Sequence, residues 1–325
     1  MLDKELADRI KELTGWTSGR QSRVVTDTSD WMRINRGDVL RLRGHDFVIK
    51  GTRYETRFGI GEQPKYWVFG AIDLENGREK IIKTVFYEDF NVRIGVFKIR
   101  CYRSPEKEGR VLELVGGDRR FMQGYTVNDE VGNNVRIIDY IRGETILEHI
   151  HSNNKSHEQY FYEDLPGILH KLTESIQAIY HLHFNHTCHG DIRNDHIIIE
   201  SGTGLYRWID FDLNQHVSDF DTWSIGNIIN YAVAQGICSF SKVLKSNEFS
   251  EKVKLSLTPD DGGAFYEYRV MNLKKLYSYI PDSLNEILLH FTINPKVYYT
   301  SMTQLLKDYR AMLKADFILR SDDQT

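Results

Sequence analysis

The feature that most constrains the fold is a change of hydrophobic period near Ile141. Upstream of it apolar residues alternate or run in short blocks, the pattern of strands; downstream they recur every three or four positions, the pattern of helices. Leu165, Ile168, Leu169, Leu172, Ile176 and Ile179 fall on one stripe of a single long helix. Further helices are expected near 221–234, 265–278, 282–292 and 301–314. Strands are expected at 38–43, 46–54, 65–74, 79–86, 92–102, 121–127 and 135–141, with turns at Asn76-Gly77 and Gly132-Asn133. One helix interrupts them: Ser104 caps it, Pro105 suits its first position, Val111, Leu112 and Val115 form its apolar face, and Gly116-Gly117 stops it. A short amphipathic helix over 3–14, with Leu6, Ile10 and Leu13 on one side, leads the chain. The expectation is an α+β protein in four stretches. These are an extension of helix plus strand over 1–45, a β-rich region with one helix over 46–141, a helical region over 142–315 and a tail over 316–325.

Composition narrows the function. A formal charge of −4, from 42 Lys+Arg against 46 Asp+Glu, provides no field to attract a polyanion, so nucleic acid is not an expected partner. Cys101, Cys188 and Cys238 stand far apart, which excludes a disulfide framework and the paired spacing of a zinc site. The chain starts with mixed charge and contains no apolar run near the ~20 residues that span a bilayer. A cytoplasmic location without signal peptide or membrane span is expected.

The most specific segment follows the long helix: His189-Gly190-Asp191-Ile192-Arg193-Asn194-Asp195-His196. Fourteen positions after His196, a strand-like Tyr206-Arg207-Trp208-Ile209 leads into Asp210-Phe211-Asp212. An acid at a strand end suits a hard divalent cation, which takes oxygen ligands. Either segment alone reads as a polar turn or a surface acid. In this order, and followed by Asp221-Thr222-Trp223-Ser224-Ile225-Gly226, they resemble the catalytic loop, the D-F-G motif and the D-x-W-S-x-G helix of the protein kinase superfamily.

The resemblance implies a two-lobed fold, a β-rich N-lobe with one helix and a helical C-lobe, over about 46–310. It implies ATP and Mg²⁺ or Mn²⁺ as cofactors. Asp191 would act on the acceptor hydroxyl, Arg193 would contact the transferred phosphate, His189 would pack under the loop, and Asp210 and His196 would hold the metal. Asp221 would accept backbone N–H groups of the catalytic loop. Val135–Gly143 resembles the hinge, with backbone at Asp139 and Ile141 pairing with adenine. Glu108 fits the helix that pairs with the phosphate-binding Lys. Lys83, in a segment like V-A-I-K, is preferred for that Lys over Lys98, because 108 − 98 = 10 positions leave no room for a strand end, a turn and half a helix. Residues 87–103 then form an inserted strand or loop. Gly59 and Gly61, in a loop over 55–64, would let backbone approach the phosphates.

Three departures bear on function. His196 stands where protein kinases have a metal-binding Asn, a substitution associated with lipopolysaccharide sugar kinases; Asp195 or Asp212 could orient its ring. Asp212 replaces the Gly of D-F-G. Asp210 and Asp221 are only 221 − 210 = 11 positions apart, so the activation segment and its terminal Glu are missing, and Tyr298 stands in place of the Arg that would pair with that Glu. The leading expectation is a kinase acting on Ser or Thr hydroxyls of a protein. The alternatives are a kinase of small molecules or sugars, and a nucleotide-binding pseudokinase scaffold, which would need none of Lys83, Glu108, Asp191 and Asp210. No feature names the acceptor or sets an oligomeric state.

Overall fold

The computed structural model describes residues 2–17, 22–57, 60–94, 97–215, 217 and 219–318, and it is a mixed α+β structure. In chain order, α1 (Lys4–Thr14) precedes β1 (Val24–Val25), β2 (Val39–Leu42), β3 (His45–Arg57), β4 (Ile60–Asp73) and β5 (Glu79–Lys83). A hairpin of β6 (Asp89–Ile94) and β7 (Phe97–Arg103) leads to α2 (Pro105–Leu114), β8 (Gly124–Asn128) and β9 (Asn134–Asp139). Then come β10 (Gly143–Thr145), α3 (Ile146–His151), α4 (His157–Glu163), α5 (Leu165–Phe184), β11 (Ile197–Glu200), β12 (Tyr206–Trp208) and β13 (Leu213–Gln215). The remainder is helical: α6 (Phe220–Val233), α7 (Phe240–Lys245), α8 (Glu251–Ser256), α9 (Asp282–Leu289) and α10 (Met302–Asp316). The chain divides into two compact units, Met1–Glu88 with Arg103–Ile141, and Asp89–Tyr102 with Arg142–Thr325.

The first unit is built on a seven-stranded sheet in the order β1-β2-β3-β4-β5-β9-β8, antiparallel apart from the β1–β2 pair. Alternation along its strands sorts the side chains onto two faces. Leu40, Leu42, Phe47, Ile49, Phe69 and Ala71 share one cluster with Ile82, Val135 and Ile137. Val39, Val48 and Ile72 point the other way, where α1 covers them with Ile10, Leu6 and Leu13. The Asp3 carboxylate caps α1 by accepting from the Leu6 N–H at 2.9 Å, and Gly15 ends it at φ 71°, a conformation that a side chain would strain. Arg9 latches the helix by donating to the carbonyls of Leu74 and Glu75 at 2.8 and 2.9 Å. The described residues of 1–45 are thus part of the same packed unit as the strands that follow. Strands β3 and β4 run on to Arg57 and Ile60, which pair with each other, so the loop expected over 55–64 is mostly sheet.

The second unit is organised by α5. Every residue of its expected stripe is buried, and two distant side chains close hydrogen bonds on its carbonyls: Tyr309 of α10 on Leu169 at 2.9 Å and Trp208 of β12 on Ser175 at 3.0 Å. Two three-stranded sheets, β10-β11-β12 and β13-β7-β6, complete the unit. The second of these corrects the single strand expected over 92–102, which is the two strands of a hairpin. Ile99 and Cys101 of its second strand pack with Leu213 and Phe220, against which Phe90, Val92, Trp223 and Phe265 also lie.

The helix expected over 265–278 is absent; among these residues only Leu273–Lys275 makes a 3-10 turn. Backbone pairing elsewhere in the unit overrides the apolar spacing: Val270 and Met271 donate to the carbonyls of Cys238 and Asp261 at 2.9 and 2.8 Å, and Val270 bridges to Gly262. Among the described residues no helix is long and apolar enough to cross a membrane.

Candidate functional site

In the first unit the chemistry gathers around Glu108. Ser104 caps α2 by accepting from the Lys107 N–H at 3.1 Å, and Pro105 fills the first position, so Glu108 falls in the first turn, fully buried. Lys83, the last residue of β5, donates from Nζ to one Glu108 oxygen at 2.6 Å. Arg136 of β9 donates from Nε to the other at 3.1 Å. Lys83 and Arg136 are both buried, so one carboxylate faces two cations in a medium where removing a partner is costly. Arg136 was missed in the sequence; its signal is a lone charge inside the apolar run Val135-Arg136-Ile137-Ile138. Lys98, the competitor for the Lys83 role, lies exposed on β7.

At the end of β9, the Asp139 N–H donates to the Gln123 carbonyl at 2.8 Å and its side chain accepts from Lys80. Among the described residues the Asp139 carbonyl and the Ile141 N–H have no backbone hydrogen-bond partner. Gly61 lies within β4 and not in a loop, and Gly59 lies outside the described residues.

In the second unit, β11 and β12 pair antiparallel with Ile197 opposite Trp208, so the end of the 189–196 loop and the start of 210–212 leave the ladder side by side. The Ile209 N–H donates to the His196 carbonyl at 3.0 Å and extends that pairing. His196 and Asp210 meet there: ring Nε2 lies 3.5 Å from a carboxylate oxygen. The other ring nitrogen, Nδ1, lies 2.7 Å from the Asp191 carbonyl and must donate to it, so that in the neutral ring the lone pair falls on Nε2. This backbone contact orients the ring. Asp195 instead holds Arg193, accepting its Nε at 2.9 Å and a terminal nitrogen at 2.5 Å. Asp210 itself has φ 67°, a left-handed conformation that costs a non-glycine residue of the order of 1–3 kcal/mol and is concentrated at functional sites.

Asp221, fully buried in the first turn of α6, ties the loop down. Its carboxylate accepts the N–H of His189 at 2.7 Å, that of Gly190 at 2.9 Å and Nε2 of His183 at 3.0 Å. Burial alone would raise its pKa, but the His183 bond and the other donors outweigh that and hold it below the ordinary carboxylate value. Gly190 turns at φ 86°, and His189 packs edge-on to Trp208 and Phe211. His183 carries no sequence signal beyond its place at the end of α5.

Tyr298 stacks on Trp223 with ring centroids 5.7 Å apart. Among the described residues no three His, Cys, Asp or Glu side chains gather as a metal cage. Asp210 and His196 do fit an ion that takes one or two protein ligands and fills its other positions with phosphate oxygens and water. The chain matches no protein-family model, and a search of curated proteins found no match.

Proposed function

We propose that the chain is an ATP-dependent phosphotransferase of the protein-kinase type that passes the terminal phosphoryl group to a hydroxyl, with Ser or Thr of a protein as the acceptor. The observation that carries this reading is the Asp221 carboxylate, which fixes the backbone of His189 and Gly190 immediately before Asp191 while His196 and Asp210 converge beyond it. A buried acid spent on two consecutive peptide groups is a costly way to make a polar turn and a sensible way to hold a catalytic one.

Asp191 then orients or accepts the proton of the acceptor hydroxyl. Lys83, positioned by Glu108, offers its charge to the nucleotide phosphates, and Arg193, braced by Asp195, offers its charge to the transferred group. The Asp139 carbonyl and Ile141 N–H provide one acceptor and one donor for adenine. Asp210 and His196 would hold a divalent ion, which when bound neutralises phosphate charge.

A small-molecule acceptor is the second reading, favoured by the segment after Asp210. That segment reaches α6 within ten positions, and β13 inside it is paired with β7. Transfer from radiolabelled ATP to protein, and to the chain itself, tests the proposal. Asp191→Asn should lose ~10²–10⁴-fold in turnover with ATP binding retained, because the side chain acts on the acceptor. Near wild-type turnover in that variant would remove Asp191 from the chemistry.

A further inference from the structure

Arg269 is a buried residue whose Nε has no hydrogen-bond partner and whose guanidinium pairs with no carboxylate among the described residues. Its backbone is fixed: the N–H donates to the Tyr266 carbonyl at 2.8 Å, the carbonyl accepts from Gly263 at 3.0 Å, and the residue bridges to Ser239. The residue is only 9% exposed. Its guanidinium carbon lies 4.2 Å from the ring centroid of Tyr266 and 5.8 Å from that of Tyr268, both exposed rings.

Stacking uses the face of a guanidinium and leaves its five N–H donors in the plane at its edge. Here Nε is buried without a hydrogen-bond partner, and among the described residues no carboxylate pairs with the group. Glu267, between the two tyrosines, forms no ion pair with it, and the nearby Tyr231 hydroxyl donates to the Leu147 carbonyl. The contrast is plain with Arg136, whose Nε donates to Glu108, and with Arg41, whose fork is bidentate on Asp46. A rigidly placed fork, flanked by two phenols and lacking an acceptor, matches the geometry of an oxyanion.

We infer that Arg269, between Tyr266 and Tyr268, is a binding site for the phosphate or carboxylate group of a small molecule. The site stands independently of the phosphotransferase reading. Thermal unfolding and calorimetric titration of the full chain with inorganic phosphate and, separately, with acetate, at ionic strength held constant with chloride, tests it.

Saturable binding is expected, and Arg269→Met, which keeps an apolar stem between the rings and removes the donors, should weaken it by at least about ten-fold. Binding at Arg269 should survive in a Lys83→Met background, which separates it from any anion held by Lys83. In chloride alone Arg269→Met should be no less stable than the wild type, because it removes a buried cation that lacks an acceptor. Tighter binding of phosphate than acetate assigns the natural group as a phosphate, and the reverse as a carboxylate. The inference is overturned by an absence of saturable binding in the Lys83→Met protein, by an unchanged response in Arg269→Met, or by a marked loss of stability of that variant in chloride, which would make the guanidinium structural.

Discussion

At single residues, the geometry divides the charged side chains into those that hold and those that are held. Glu108 holds Lys83 and Arg136 together, whereas Lys98 lies exposed on a hairpin. Lys83→Ala should therefore raise the ATP concentration needed for half-maximal use far more than Lys98→Ala does; a larger effect at Lys98 in a parallel titration would reverse the assignment. His196 presents Nε2 to Asp210 because its Nδ1 is committed to the Asp191 carbonyl. A neutral imidazole suits Mn²⁺ better than the oxygen-preferring Mg²⁺. His196→Asn should move the activity ratio toward Mg²⁺, and an unchanged Mn²⁺ to Mg²⁺ ratio would leave the ring a purely structural role.

Among elements, the β6–β7 hairpin has the most unexpected role. In sequence it lies between the strand that carries Lys83 and the helix that carries Glu108, yet it belongs to the second unit and pairs with β13, three residues beyond Asp210. Ile99 is buried against Leu213 and Phe220 in this junction. Ile99→Ala should cost about 2–5 kcal/mol in denaturant unfolding, as buried large-to-small changes do. It should also weaken metal-dependent transfer more than metal-free nucleotide binding, since the strand it supports follows Asp210 directly. Equal losses in both would show that the hairpin contributes stability alone. Burial pushes the Cys101 thiol in the same cluster up to about 11, so it acts here as packing and not as a nucleophile.

For the whole molecule, the half-buried His157 and the fully buried Asp221 both contribute to how stability depends on pH. Burial lowers the pKa of His157, partly opposed by its bond to the Val233 carbonyl; the neutral ring also accepts from the Tyr279 hydroxyl at 2.6 Å and stacks on Tyr277. A base with a depressed folded pKa contributes stability that is full above its unfolded value of ~6.5 and is lost as pH falls below it. Asp221 has a depressed folded pKa as an acid, so its contribution is full above ~3.9 and is lost as pH falls through its lower folded value. Unfolding free energy should thus decline in two stages on acidification. His157→Gln should remove the stage below ~6.5 and leave the more acid one. A variant that keeps the upper stage would place that titration elsewhere.

What the sequence determined by itself was local. The two hydrophobic periods place the long α5 and most of the strands, the Ser104-Pro105 signal starts α2 where it is found, and the chain order of Lys83, Glu108, Asp191, Asp210 and Asp221 is readable before any contact is known. These features depend on neighbours within one or two turns of chain, and such neighbours are written side by side. The tertiary structure decided the rest. It brought Arg136 onto Glu108, committed Asp195 to Arg193, gave the His196 ring to a backbone carbonyl, moved residues 89–102 into the second unit and drew 265–278 out of a helix. Each of these choices rests on a partner distant in the chain or on competition among several polar groups, and periodicity carries no record of which one wins.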